Sequence, residues 1–304
     1  MSKKIIRQKI HDSFLRTALK NFAAQYPVAR ARAFEGDDFE SLRDRVSAIR
    51  DNALRDLPDL VERFRESAEA AGATVHLCTS PEEARRAILG IIREKGAEFV
   101  VKSKSMTSEE IRLNPYLEKA GVRSLETDLG EWIIQLAGER PSHMVMPAIH
   151  KNRQEVADLF SREIGRDCPP DIPSLVETAR ETLRESFFTA RVGISGTNVA
   201  VADSGAIGLV TNEGNARLVT TLPETHIALI GIEKIVPSLA EALDIISILP
   251  KNATGQKITS YVSLIRGPSE GHELHIVLLD NGRRQLAADP RFREAMKCVK
   301  CGAC

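Results

Sequence analysis

Apolar residues recur at helical spacing through the first seventy positions. Phe14, Leu15, Ala18, Leu19, Phe22 and Ala23 form one stripe; Leu42, Val46, Ile49, Leu54, Leu57, Leu60, Val61 and Phe64 form a second between Asp37 and Ala70. Polar residues fill the opposite faces, so this stretch reads as helices packed on something larger. Its basic start (Lys3, Lys4, Arg7, Lys9) reads as a solvated helix face, with contact to a partner as the alternative. From residue 72 the period changes. Thr74–Cys78, Glu98–Lys102, Val122–Glu126 and His143–Ile149 read as strands. Helices begin between them at Ser80-Pro-Glu-Glu83, Thr107-Ser-Glu-Glu110 and Asp128-Leu-Gly-Glu131, each with an N-capping pattern. Further helices are expected over Arg153–Ile164 and Pro173–Ala190. Strands alternating with helices imply a doubly wound, mainly parallel sheet.

The segment Val192–Val236 is rich in glycine and β-branched residues and reads as several short strands with a hairpin, turning at Ser204-Gly205 and Asn212–Asn215. A helix over Leu239–Leu249 and strands over Thr259–Ile265 and Leu274–Leu279 complete the pattern, and a short helical segment follows Asp289-Pro290. The pattern divides the chain into an N-terminal helical region (1–70), an α/β domain (71–288) and a C-terminal segment (289–304). A chain of 304 residues is long enough to bury a large core.

Composition removes several function classes. The 42 basic and 42 acidic residues cancel, so no global field favours nucleic acid or anionic lipid. One Trp and three Tyr argue against a surface for base stacking. No signal peptide or membrane span is evident, and five cysteines, three of them clustered, suit a reducing compartment; a cytoplasmic, soluble protein is expected.

The cluster is Cys298-Val-Lys-Cys301-Gly-Ala-Cys304, a C-x2-C-x2-C run at the end of the sequence. Thiolates at that pitch suit three corners of an iron–sulfur cubane better than the separated pairs of a zinc ribbon. A bacterial ferredoxin run continues x3-C-P, so the chain is expected to break off at the start of such a module, with an incomplete ligand set. Cys168-Pro169 has the look of a fourth ligand, yet an isolated cysteine is more often a small hydrophobe, and Cys78 is no stronger a candidate.

Polar residues gather where a doubly wound sheet binds ligands, beyond the carboxyl ends of its strands. Candidates for a pocket are Lys104 and Ser105 after one strand, Glu126 after the next, Ser195 and Asn198, Ser204, and Asn212, Glu213 and Asn215. Asp128 and Glu131 are accounted for as a helix cap, and Asn212–Asn215 equally well as a turn. His150 and His226 read as structural histidines. No metal-binding histidine spacing, Walker loop, G-x-G-x-x-G or G-x-S-x-G elbow occurs.

Lys102–Ile111, Glu126–Glu131, Pro147–His150, Gly193–Asn198, Val210–Asn215 and Gly231–Val236, with the terminal Lys297–Cys304, resemble the lactate-utilisation protein B family, in order along nearly the whole chain. The resemblance implies a fold like that of glucosamine-6-phosphate deaminase, ribose-5-phosphate isomerase and the CoA transferases (NagB/RpiA/CoA-transferase-like). It implies an iron–sulfur subunit that works with two other lactate-utilisation subunits in a cytoplasmic complex oxidising L-lactate to pyruvate. Cys298, Cys301 and Cys304 then match three ligands of a [4Fe–4S] cluster. Apart from the resemblance, a pocket formed by Lys104, Glu126, Ser195, Asn198 and Asn215 is expected to bind a small carboxylate or a partner. Two other readings stay open at this level, an independent enzyme of the isomerase or CoA-transferase type and a scaffold without redox chemistry.

Overall fold

The computed structural model describes residues 10–304, so Lys3, Lys4, Arg7 and Lys9 lie outside the described residues. Among the described residues, three long helices come first: α1 (Ser13–Ala33), α2 (Phe39–Arg55) and α3 (Leu57–Ala70). Asp12 and Asp38 start the first two by accepting from backbone N–H groups of Leu15 and Ser41, and Pro58 sits in the first turn of the third. The α/β part then runs β1 (Thr74–Cys78), α4 (Pro81–Glu94), β2 (Phe99–Lys102), α5 (Met106–Glu110), α6 (Leu113–Lys119), β3 (Arg123–Glu126), α7 (Leu129–Leu136), α8 (Arg153–Ile164), α9 (Ile172–Thr189) and β4 (Val192–Ser195). After these come β5 (Val199–Val201), β6 (Ala206–Thr211), α10 (Asn215–Thr221), β7 (Thr225–Gly231), a 3₁₀ turn (Ile232–Lys234), β8 (Ile235–Val236), α11 (Leu239–Thr254), β9 (Tyr261–Ile265), β10 (Glu273–Leu279), α12 (Arg283–Ala288) and α13 (Pro290–Met296).

Six strands form one wholly parallel sheet in the order β1-β10-β7-β4-β2-β3. The expected mainly parallel α/β architecture is what the structure contains. Alternation along β7 explains why both faces must be covered: Ile227 and Leu229 face a core with Ile88, Ile92 and Leu117 of α4 and α6, whereas Ala228 and Ile230 face one with Leu60, Val61 and Phe64 of α3. Beyond β2 a third core packs Trp132 of α7 on Phe160 of α8, ring centroids 4.7 Å apart. Full burial of such side chains contributes roughly 2–3 kcal/mol each. A second, mixed sheet, β8-β5-β6-β9, is covered on one face by α2 and α11 through Val46, Ile49, Ile245 and Leu249.

Several local expectations are corrected. His143–Ile149 is no strand but a bent loop: His143 Nδ1 accepts from the N–H groups of Val145 and Met146 at 3.1 and 3.2 Å, and Ser142 N–H donates to Pro147 O at 3.1 Å, so its backbone bonds close locally. The cap after β2 is Ser105, whose Oγ accepts from Ser108 N–H, rather than Thr107, and the helix it opens is short. Asn215 opens α10 instead of ending a turn. The last long helix continues through Pro250 to Thr254, closed by Gly255 at φ 68°.

The strand order reverses between β2 and β4: the chain passes outward from β2 to β3, then returns to β4 on the other side of β2. The loops leaving these two strands touch. A Cβ at Gly196 would lie 2.7 Å from Ser105 Oγ, so only glycine permits that approach. This reversal is where a doubly wound sheet opens a crevice.

Candidate functional site

A cavity of about 450 Å³ occupies the crevice. Ser103, Lys104 and Ser105 after β2 meet Gly196, Thr197 and Asn198 after β4. Asn212, Glu213 and Asn215 close it from the β6–α10 turn, the Met144–Met146 loop and the end of α11 supply apolar wall, and Val299, Lys300 and Cys301 of the C-terminal segment complete it.

Of the nine residues expected in a pocket, the structure brings six together here: Lys104, Ser105, Asn198, Asn212, Glu213 and Asn215. The other three do not line the cavity. Glu126 is 2% exposed beneath it. Its Oε1 lies 2.7 Å from Lys102 Nζ and accepts from Asn114 Nδ2 at 2.6 Å, because β2–β3 pairing sets Lys102 beside Glu126. Burial pushes the Glu126 carboxyl above its ordinary range against the pull of Lys102. Ser195 is fully buried and shares a 2.7 Å hydrogen bond with His226 Nε2. Burial holds His226 neutral, its pKa lowered to about 4. Ser204 sits in the β5–β6 turn, where its Oγ accepts from Ala206 N–H and its carbonyl from Arg266 Nε.

Polar side chains of the cavity divide their bonding between framework and opening. Asn212 Oδ1 accepts from Ser260 N–H at 3.1 Å and its Nδ2 donates to Gln256 Oε1 at 2.6 Å, so it pins the loop before β9. Asn198 Oδ1 accepts from Val210 N–H at 2.9 Å, which leaves its amide nitrogen for the opening. Asp128 caps α7 by accepting from Glu131 N–H at 3.1 Å and also lines the cavity. Lys104 Nζ donates to Val145 O at 3.2 Å and stands 3.8 Å from Glu131 Oε1. Burial, with Glu126 adding repulsion, raises Glu131 to about 7. Burial also raises Glu213.

Lys234 is not among the residues expected from the sequence. It ends the 3₁₀ turn after β7 and lines the cavity, donating from Nζ to Thr197 O at 2.5 Å, and burial lowers its pKa to about 8. The signal for it was a charged pair, Glu233-Lys234, embedded in an apolar run. Glu233 points to a second, smaller cavity of about 210 Å³. There it pairs with Arg283 and, at 2.7 Å, with Lys300 Nζ. It stays ionised with a pKa lowered to about 2: the surrounding cations, Lys300 first, outweigh its burial.

The C-terminal segment lies across both cavities. Lys300 is held by Glu233, Arg50 donates to Met296 O at 3.0 Å, and a Cβ on Gly302 would lie 2.8 Å from Val145 Cγ2. Lys300 (φ 57°) and Gly302 (φ 76°) curl the backbone, and Lys300 N–H donates toward Cys298 Sγ at 3.4 Å. Among the described residues no three His, Cys, Asp or Glu side chains are drawn together as a preformed metal centre. The donor chemistry nonetheless fits three corners of a thiolate-bound cluster, with soft sulfur ligands at short spacing and a backbone donor aimed at one of them. The remaining cysteines do not join them. Cys78 is buried in the core shared with α4, and Cys168 is buried beside α9, its Sγ 3.3 Å from Thr178 Oγ1.

A family model described as the LUD domain matches residues 61–283. The chain belongs to the LUD domain family. The matched span therefore carries every wall of the cavity except Val299, Lys300 and Cys301 of the C-terminal segment. The chain is 42% identical over 308 residues to the "Uncharacterized electron transport protein YkgF" of Escherichia coli, covering 98% of this chain and 64% of that protein. It is 40% identical over 309 residues to "Lactate utilization protein B" of Oceanobacillus iheyensis, covering 99% of this chain and 64% of that protein. The family resemblance read from the sequence is borne out, and the chain spans just under two thirds of the length of these curated relatives. The crystal structure of a DUF162 family protein from Deinococcus radiodurans aligns with 73% of this LUD chain and 98% of its own, at TM-score 0.42 and 14% identity.

Proposed function

We propose that this chain is the iron–sulfur electron-transfer subunit of a cytoplasmic complex that oxidises L-lactate to pyruvate, assembled with two other lactate-utilisation subunits. The observation that carries the reading is the Cys298–Cys301–Cys304 run held against the LUD domain by Lys300 and Glu233, in a chain whose relatives are named for lactate utilisation and electron transport. In this reading residues 1–70 are a helical region, 71–288 the α/β domain and 289–304 the start of a ferredoxin-type module. The parallel sheet belongs with the NagB/RpiA/CoA-transferase-like folds.

Cys298, Cys301 and Cys304 would hold three corners of a [4Fe–4S] cluster, which supplies one-electron relay. Removing two electrons and two protons from a hydroxy acid calls for a two-electron acceptor elsewhere, and the role of this chain is relay rather than hydride abstraction. Lys300 N–H and the positive φ of Gly302 shape the loop around the sulfurs, and Glu233 anchors it.

Anaerobic reconstitution with iron and sulfide tests the proposal. About four iron per chain and a reduced-state EPR signal are expected, both lost in Cys301→Ser. Binding that ignores Cys301→Ser would sink it, as would lactate oxidation by the isolated chain without iron.

A further inference from the structure

We infer that the cavity at the β2–β4 reversal is a binding site for a small organic monocarboxylate, whose anionic end sits on the Lys234 ammonium and whose body lies against Met144, Val145 and Leu249. Only the choice of probe below rests on the electron-transfer reading.

Charge bookkeeping singles out Lys234. Five charged side chains line the cavity: Lys104, Lys234, Lys300, Asp128 and Glu213. Lys300 is taken by Glu233 at 2.7 Å. Lys104 has Glu131 at 3.8 Å and a backbone oxygen at 3.2 Å. Lys234 has no carboxylate in direct contact among the described residues; its Nζ makes one hydrogen bond, to Thr197 O, although an ammonium carries three donors. Burial lowers its pKa to about 8, outweighing the attraction of Glu233, and the nearby Lys300 and Arg283 cations lower it further. A desolvated ammonium facing an opening is stabilised by an anion within it.

The same inventory sets the class of anion. Asp128 and Glu213 share the cavity and repel a second negative charge, so a monoanion is favoured over a phosphate dianion. The apolar wall gives an organic body contact that an inorganic ion cannot use. The uncommitted amide nitrogen of Asn198 can donate to a hydroxyl or oxo oxygen.

Titration calorimetry on the whole chain at about pH 7, without iron, tests the inference with pyruvate as probe and inorganic phosphate as control. Saturable pyruvate binding is expected, weakened about tenfold or more in Lys234→Gln, with phosphate binding more weakly than pyruvate. Absence of pyruvate binding, equal binding by Lys234→Gln, or phosphate binding as tightly as pyruvate overturns it. A measurement on the unaltered chain guards against a folding defect in the variant. Cys301 lines this cavity and Cys298 the smaller one, so pyruvate should slow N-ethylmaleimide labelling of Cys301 and leave Cys298 unchanged. Unchanged labelling of Cys301 counts against the site. Neither assay needs a cluster, so failure here leaves the electron-transfer proposal standing, and failure of reconstitution leaves this one standing.

Discussion

Single residues show how a charge at a strand end can mean opposite things. Glu126 ends a strand, Lys104 follows one, and both read as pocket residues, yet Glu126 is locked under the sheet end by Lys102 and Asn114 while Lys104 reaches the cavity. The difference lies in strand pairing: β2 and β3 set Lys102 beside Glu126, a neighbour relation that one sequence does not display. Lys234 is hidden for the mirror reason, since its apolar surroundings in the sequence resemble a core strand. Glu131 offers a titration test. Its folded pKa of about 7 lies above the ordinary 4.5, so between those values the folded chain keeps a proton that the unfolded chain has lost. Stability from this group therefore falls as pH rises through that window. His226 acts oppositely: its folded pKa of about 4 lies below the ordinary 6.5, so stability rises as pH climbs between them. In Glu131→Gln the His226 rise is uncovered. Urea denaturation at about pH 5 and pH 7 should show the variant gaining more stability at the higher pH than the unaltered chain gains. An unchanged difference between the two pH values would show that Glu131 titrates normally.

At the scale of elements, capping and periodicity made most of the architecture legible. Ser80, Asp128 and Asn152 cap as their side chains suggest, and β1 and α8 occupy their expected bounds. The failures have separate causes. The His143–Ile149 loop has the apolar content of a strand, but its own side chains and carbonyls satisfy its N–H groups first. Helix α10 is only seven residues long and begins in an Asn-rich turn, so tertiary packing rather than propensity establishes it. That packing is tight: a Cβ at Gly193 of β4 would meet Val219 O of α10 at 1.9 Å. Gly193→Ala must push α10 away from the sheet and should cost about 2–3 kcal/mol in urea unfolding. A loss below about 0.5 kcal/mol, the scale of ordinary surface changes, would mean α10 is free to slide.

For the whole molecule, the sequence announced a parallel sheet and a cysteine run but not their meeting. The tail reaches the cavity because Lys300 finds Glu233 after β7, and Arg50 of α2 holds the end of α13 before it. Lys300→Met should release residues 297–304, seen as faster amide hydrogen exchange there, with the sheet unaffected. Exchange unchanged in the tail would show that Val299 and Gly302 anchor it alone. Every wall of the cavity comes from a different stretch of chain, from Ser103 to Cys301. No fragment and no partly unfolded form presents the whole surface. Occupancy and folding thus form a single equilibrium, in which an occupant at about a hundred times its dissociation constant adds roughly 2.7 kcal/mol to the native state. Melting temperature becomes a chemical sensor, and a panel of acids can be ranked by heat alone.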